Sequence, residues 1–143
     1  MIRIICVGKL KDQLKNVSEE YVKRIKGFTR IEIIEINEYK SSNIQESLKK
    51  EGERVLEKAG ERFIVLDAKG KQLSSEEFSQ ILKQPNLTFV IGSHAGLNED
   101  VKKKSNIQLS LSKMTIPHQI TRVILLEQIY RGFSILNNQP YHK

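Results

Sequence analysis

The chain has 143 residues, enough for one domain with a sizeable core. With 38% hydrophobic and 29% charged residues it reads as a soluble globular chain, and three prolines and eight glycines exclude low complexity. No apolar run approaches the ~20 residues that a membrane span needs, and the net charge of +7 favours polyanionic partners.

Ile2–Val7 is a β-branched run closed by Gly8 and predicts a first buried strand, with Lys9, Lys11 and Asp12 breaking the apolar character at once. Cys6, the only cysteine, lies inside that run and reads as a small core residue in a reducing compartment. From 13 to 26, Leu14, Val17, Tyr21 and Ile25 recur every three or four positions, one face of a helix. Residues 30–37 predict a strand. Ser42 and Gln45 have capping-box spacing and open a helix carrying Ile44, Leu48, Val55 and Leu56 up to Gly60.

Residues 62–67 and Leu87–Ile91 are short apolar runs, as strands buried on both faces of a parallel sheet should be. Between them Ser74 and Glu77 form a second capping-box pattern. Asn98 can cap a short helix, residues 107–111 predict a last strand, and Pro117 suits the start of a final helix to about Leu136. Strands therefore alternate with helices throughout. The expected fold class is α/β, a mostly parallel sheet with helices on both faces. Ligands in such folds sit at the carboxyl ends of strands, which singles out the loops at 67–71, 92–97 and 111–117.

Charge points to the same part of the chain. From Asp100 onward seven cations stand against two anions, so +5 of the net +7 belongs to the last third. Gly92-Ser-His-Ala-Gly96 follows a strand and precedes a helix, as a turn bringing backbone amides close to a ligand would, or a tight connection alone. It matches neither a dinucleotide fingerprint nor a phosphate loop. The stretch Ser110-Leu-Ser-Lys-Met-Thr-Ile-Pro117 interleaves apolar residues with hydroxyls. That composition suits a nucleoside, or simply a strand end and a helix cap.

His94, His118 and His142 show no metal-ligand spacing, so no metal is expected, and His118 suits capping or packing at a helix start. The final helix is apolar nearly all round, which means deep burial or a second buried face against another subunit. Glu127 and Arg131 are four apart on it and can pair. The last residues, Tyr141-His-Lys143, offer stacking, proton transfer and phosphate pairing, or a frayed end.

Three strings carry a resemblance: Leu109-Ser-Leu-Ser-Lys-Met-Thr-Ile-Pro-His118, Arg122-Val-x-Leu-Leu-x-Gln-x-Tyr-Arg131 and Asn138-x-Pro-Tyr-His-Lys143. With the opening Ile-x-x-Val-Gly and the Glu51-Gly-Glu element, they resemble the bacterial 23S ribosomal RNA (pseudouridine-N3)-methyltransferases of the SPOUT superfamily. The resemblance covers the whole chain and implies a single domain over 1–143 with a C-terminal trefoil knot, an exception to the rule against knots. It implies S-adenosylmethionine as cofactor, a homodimer, and 23S rRNA in the assembled cytoplasmic ribosome as substrate, with neither membrane nor metal involved. Cofactor contacts map to Leu66, Gly92, Leu111, Ser112, Lys113, Met114, Thr115 and Ile116. The reactive tail maps to Tyr141 and His142, with His142 as the expected base. Lys143, Arg131 and Arg122 are the expected RNA-binding cations. Where this family carries a second glycine after Gly92 this chain has Ser93, a side chain expected to alter the backbone path or add a hydroxyl. A sister enzyme acting on transfer RNA and a non-enzymatic RNA-binding module are the alternative readings.

Overall fold

The computed structural model describes residues 1–143. Five parallel strands form one sheet in the order β2-β1-β4-β3-β5. They are β1 Ile2–Val7, β2 Ile31–Ile36, β3 Ile64–Gln72, β4 Leu87–Ile91 and β5 Ile107–Ser110. The helices are α1 Asp12–Ile25, α2 Ile44–Ala59, α3 Ser75–Ile81, α4 Glu99–Lys104 and α5 His118–Leu136.

Apolar strand residues supply both sheet faces, and the helices divide between them. On one face Ile25 of α1, Phe78 of α3 and Leu125, Leu126 and Ile129 of α5 pack on Ile4, Cys6, Phe89 and Ile91. On the other, Val55 and Ala59 of α2 and Val101 of α4 cover Ile5, Val7, Val65 and Val90. Side chains alternate across a strand, so neighbours in β1 serve opposite cores. Each fully buried side chain of this size stabilises by about 1.5–3 kcal/mol. Cys6 is in the core as expected, and burial pushes its thiol up to about 12 against the nearby Arg122 charge.

Two local expectations change. Ser42 does not cap α2. Asn43 does, its side-chain oxygen accepting from the Gln45 and Glu46 amides at 3.0 and 3.3 Å, while Ser41 Oγ accepts from the Asn43 amide. The Asn43 amide takes the Gln45 donor that a Ser42 cap would have used, and Glu46 N with it, so the helix is capped one residue later. The second box forms in full, with Ser74 Oγ accepting from Glu77 N and Glu77 Oε1 from Ser74 N.

The third strand runs longer than its apolar stretch. Leu66 and Lys71 both pair with Leu109, so the four residues between them bulge out of the ladder. That bulge carries Asp67 and Ala68 to the carboxyl edge of the sheet, where the loops after β4 and β5 also emerge. Bulges re-aim side chains in this way beside functional sites.

Candidate active site

A cavity of about 710 Å³ opens at that edge. Its walls come from the β3 bulge, the loop after β4, the loop after β5 and the first turn of α5. Leu66, Gly92, Leu111, Ser112, Met114, Thr115 and Ile116 all line it. Lys113 belongs to the same loop but is exposed and forms no part of the wall.

Short-range bonds hold the walls. Ser110 Oγ donates to Ser112 O at 2.8 Å, and Ser112 Oγ accepts from Met114 N at 2.9 Å. These hydroxyl turns set the loop without help from distant side chains, and they leave Met114 79% exposed at the rim. At Gly92 a Cβ would collide with Gly96 O and the Leu97 side chain, so only glycine allows this turn. Ser93 is buried behind it and its Oγ accepts from Ala95 N at 3.4 Å, which places the extra hydroxyl inside the turn. Asp67, aimed by the bulge, pairs with Lys102 at 3.4 Å, and both border the cavity.

Beneath the cavity, α5 is tied to the loop after β1. Gln119 Nε2 donates to Lys9 O and its Oε1 accepts from Lys11 N, each at 2.8 Å. Arg122 donates to Glu35 at 2.8 Å and to Gly8 O at 3.4 Å. Arg122 is thus corrected as an RNA-binding cation: it is 6% exposed and its guanidinium is committed to Glu35. Partial burial pushes the Glu35 carboxyl up, but bonds from Arg122 and the Leu10 amide hold it below the ordinary carboxylate range. Sequence patterning missed Gln119 and Glu35, because partners 110 and 87 positions away leave no local signal. His118 half-buries beside them, 6.5 Å from the His94 ring, and desolvation lowers its basicity.

The tail is docked, not frayed. Asn138 takes φ 53°, and Gln139 N donates to Ser134 O, turning the chain back along α5. Tyr141 meets Tyr130 edge-on at 4.7 Å, lies under the Arg131 guanidinium at 5.0 Å and donates to Glu127 at 3.4 Å. Burial, with Tyr21 and Glu127 nearby, pushes its phenol up to about 12, so Tyr141 stays a donor. Arg131 grips Glu127 at 2.6 Å and reaches His142 Nδ1 at 3.1 Å. His142 Nε2 stands 2.7 Å from Glu76. A guanidinium only donates, so Nδ1 accepts and the ring proton sits on Nε2 toward Glu76. Lys143 is exposed. Arg131, expected on phosphate, is occupied by Glu127 and the tail.

The tail does not line the cavity of its own chain. From Thr121, the last cavity residue, to Glu127, where Tyr141 docks, α5 rises roughly 9 Å. The two groups of expected site residues therefore sit at different levels of one helix.

The chain matches the family described as "Predicted SPOUT methyltransferase" over residues 1–142. This chain belongs to the SPOUT methyltransferase family. Relatives named Ribosomal RNA large subunit methyltransferase H include one from Caldicellulosiruptor saccharolyticus, 46% identical with both chains covered in full. Another, from Enterococcus faecalis, is 43% identical over 99% of each chain. Among solved structures, a "probable methylase family protein" from Haemophilus influenzae superposes with a TM-score of 0.59 at 11% identity. That match covers 99% of this chain and 70% of the other, and it speaks for the fold. No helix of this SPOUT methyltransferase is long and apolar enough to cross a membrane.

Proposed function

We propose that this enzyme uses S-adenosylmethionine to methylate N3 of a pseudouridine in 23S rRNA of the assembled large ribosomal subunit, in the cytoplasm. The observation that carries the reading is the cavity that brings Leu66, Gly92 and the 111–116 loop together, in a chain alike end to end with relatives named for large-subunit ribosomal RNA. The residues present fit the cofactor. A volume of about 710 Å³ suits a nucleoside-sized ligand. Leu66, Leu111 and Ile116 offer apolar contact to an adenine, and the close Gly92 turn gives backbone access. Asp67 offers a carboxylate to ribose hydroxyls, and Ser112 and Thr115 add hydroxyls of their own.

When bound, S-adenosylmethionine supplies a sulfonium methyl group for transfer to a nitrogen nucleophile. The cavity walls fix the direction of approach, which removes orientational entropy from the barrier. His142 takes the N3 proton of the base, giving an anionic nitrogen for methylation. Its free lone pair is on Nδ1, which Arg131 covers in the docked tail, so the ring leaves Arg131 before it acts. Tyr141, a phenol throughout the working range, stacks on or donates to the base. Lys143, and Lys113 on the cofactor loop, face the RNA as free cations.

The working unit is a homodimer. Ile120 is 40% exposed, and Val123 and Ile124 are half-buried on the outer side of α5, an apolar strip suited to a second copy. A partner's tail can then serve a cavity that its own chain's tail does not reach. The trefoil knot is part of the same reading. Gly70 lies so close to the Gln108 and Leu109 backbone that a Cβ would collide with it, as at a tight crossing of chain segments.

The test is mass spectrometry of 23S rRNA from cells lacking the gene, with one methyl group missing from a pseudouridine as the expected result. Purified enzyme should restore that group on ribosomes with S-adenosylmethionine. Methylation of transfer RNA instead would move the substrate, and no cofactor binding at millimolar concentration would leave only an RNA-binding module.

A further inference from the structure

A second cavity, of about 470 Å³, lies on the same edge of the sheet, between the segment after β2 and the start of α2. The turn Ser93-His94-Ala95 is its wall on one side and the wall of the first cavity on the other. Glu51 lines it, and the residue is only 5% exposed. One carboxylate oxygen accepts from Tyr39 N at 3.0 Å; the other has no hydrogen-bond partner in the chain. That unpaired oxygen is open to the cavity, where a ligand's N–H donor can reach it while the rest of the side chain stays buried. Glu51 has no cationic partner either. Arg54, one turn along, instead donates to Asn37 O at 3.1 Å and covers the Tyr39 ring at 5.7 Å.

Charge selects the ligand. Glu38 and Glu51 outweigh Lys40 among the lining side chains, so the interior disfavours a phosphate and favours a group rich in N–H donors. Tyr39 adds an aromatic surface, Ser41 and Ser47 add hydroxyls, and Ile44, 61% exposed, forms an apolar rim. Unstacked RNA bases are held by this combination of aromatic contact and edge hydrogen bonds, and carboxylates accept from exocyclic amino groups. The volume falls within the ~300–1,000 Å³ of small-molecule pockets.

We propose that this second cavity is a nucleotide subsite: it takes an amino-bearing base (adenine, cytosine or guanine) of the RNA near the methylated residue, with Glu51 accepting from its amino group. This rests on the reading of the first cavity as the methyl-transfer site for RNA. The base enters edge-first, and its phosphates stay outside near Lys40. The shared turn sets the spacing between the bound base and the cofactor cavity, so the subsite acts in choosing the target rather than in the chemistry.

Glu51→Gln keeps the size of the side chain and an acceptor for Tyr39 N but puts an amide where the unpaired oxygen was. On whole ribosomal subunits its KM should rise about tenfold, the scale of one lost charged hydrogen bond, with kcat nearly unchanged. Its cofactor affinity and melting temperature should match the unaltered protein. Should Glu51→Gln fail to fold, Ser47→Trp fills the cavity from the half-buried side and should raise KM at least as much. A photo-crosslinking amino acid at position 44, irradiated on ribosomal subunits, should attach to an amino-bearing nucleotide close to the methylated one. An unchanged KM in the folded variants, attachment to a ribosomal protein, or no RNA attachment overturns the subsite. Failure of the unaltered protein to methylate ribosomes overturns the parent reading instead, so the two failures are distinct.

Discussion

The start of α5 is tied to the sheet by buried groups: Gln119 and Arg122, 9% and 6% exposed, spend their hydrogen bonds on the backbone after β1 and on Glu35. Its far end holds the tail through Glu127 and Arg131, side chains 18% and 25% exposed, and α3 adds Glu76, 63% exposed, on His142. Buried ties are costly to break because each leaves an unpaired polar group behind, whereas half-exposed ties exchange with solvent or ligand at little cost. The difference separates two tasks. The cavity end is preformed, and the proposed function needs the tail end to be the part that lets go when RNA binds.

Substitutions at four positions, one of them followed across pH, break or sharpen that contrast. His142→Ala should lower turnover on ribosomes by roughly 10²–10⁴-fold, the range of a lost general base. Its cofactor affinity, measured by calorimetry, should hold, because the tail does not line the cavity of its own chain. An equal loss of cofactor binding would mean that the two ends of α5 are not separate in function. Gly92→Ala should do the opposite. Its Cβ collides with Gly96 O, so the turn shifts at a cost of about 1–3 kcal/mol, and cofactor affinity should fall about 10-fold or more.

Acid should reach the cavity end through Glu35. Its carboxyl is held below the ordinary value of 4.5 in the folded protein, so the stabilisation is fully present above that value. It disappears as pH falls through the lowered folded value. Glu35→Gln should therefore cost about 1 kcal/mol at pH 7, with the Arg122 bond retained only in uncharged form, and nearly nothing once the native carboxyl is protonated. Melting curves of both proteins across pH 3–7 check the convergence. The smallest effect is expected at Tyr141→Phe. Its hydroxyl makes a long 3.4 Å bond to Glu127, so turnover should fall less than about threefold, while Tyr141→Ala, which removes the ring, should lose more.

Much of this was readable from residue order. The apolar runs at Ile2–Val7 and Leu87–Ile91 could only be buried strands, and the hydroxyl-apolar alternation after Ser110 marked the cavity loop. Reading failed where a contact is made across the chain. Arg122 looks like a free cation in sequence, and only the parallel pairing of β1 with β2 brings Glu35 under it. Glu51 sits in a helical pattern that gives no hint of its unpaired oxygen. The capping of α2 failed for a local reason, since two hydroxyls and an amide compete within three residues and the sequence does not rank them.

The burial of Cys6 has a practical consequence. The one native thiol is held in the core with its ionisation pushed up to about 12, so thiol-directed dyes should leave it untouched in the folded protein. New cysteines at exposed Lys113 and Lys143 could then carry a fluorescent donor and acceptor without first removing the native one. Energy transfer between them would report, turnover by turnover, whether the tail is parked on its own helix or has moved away.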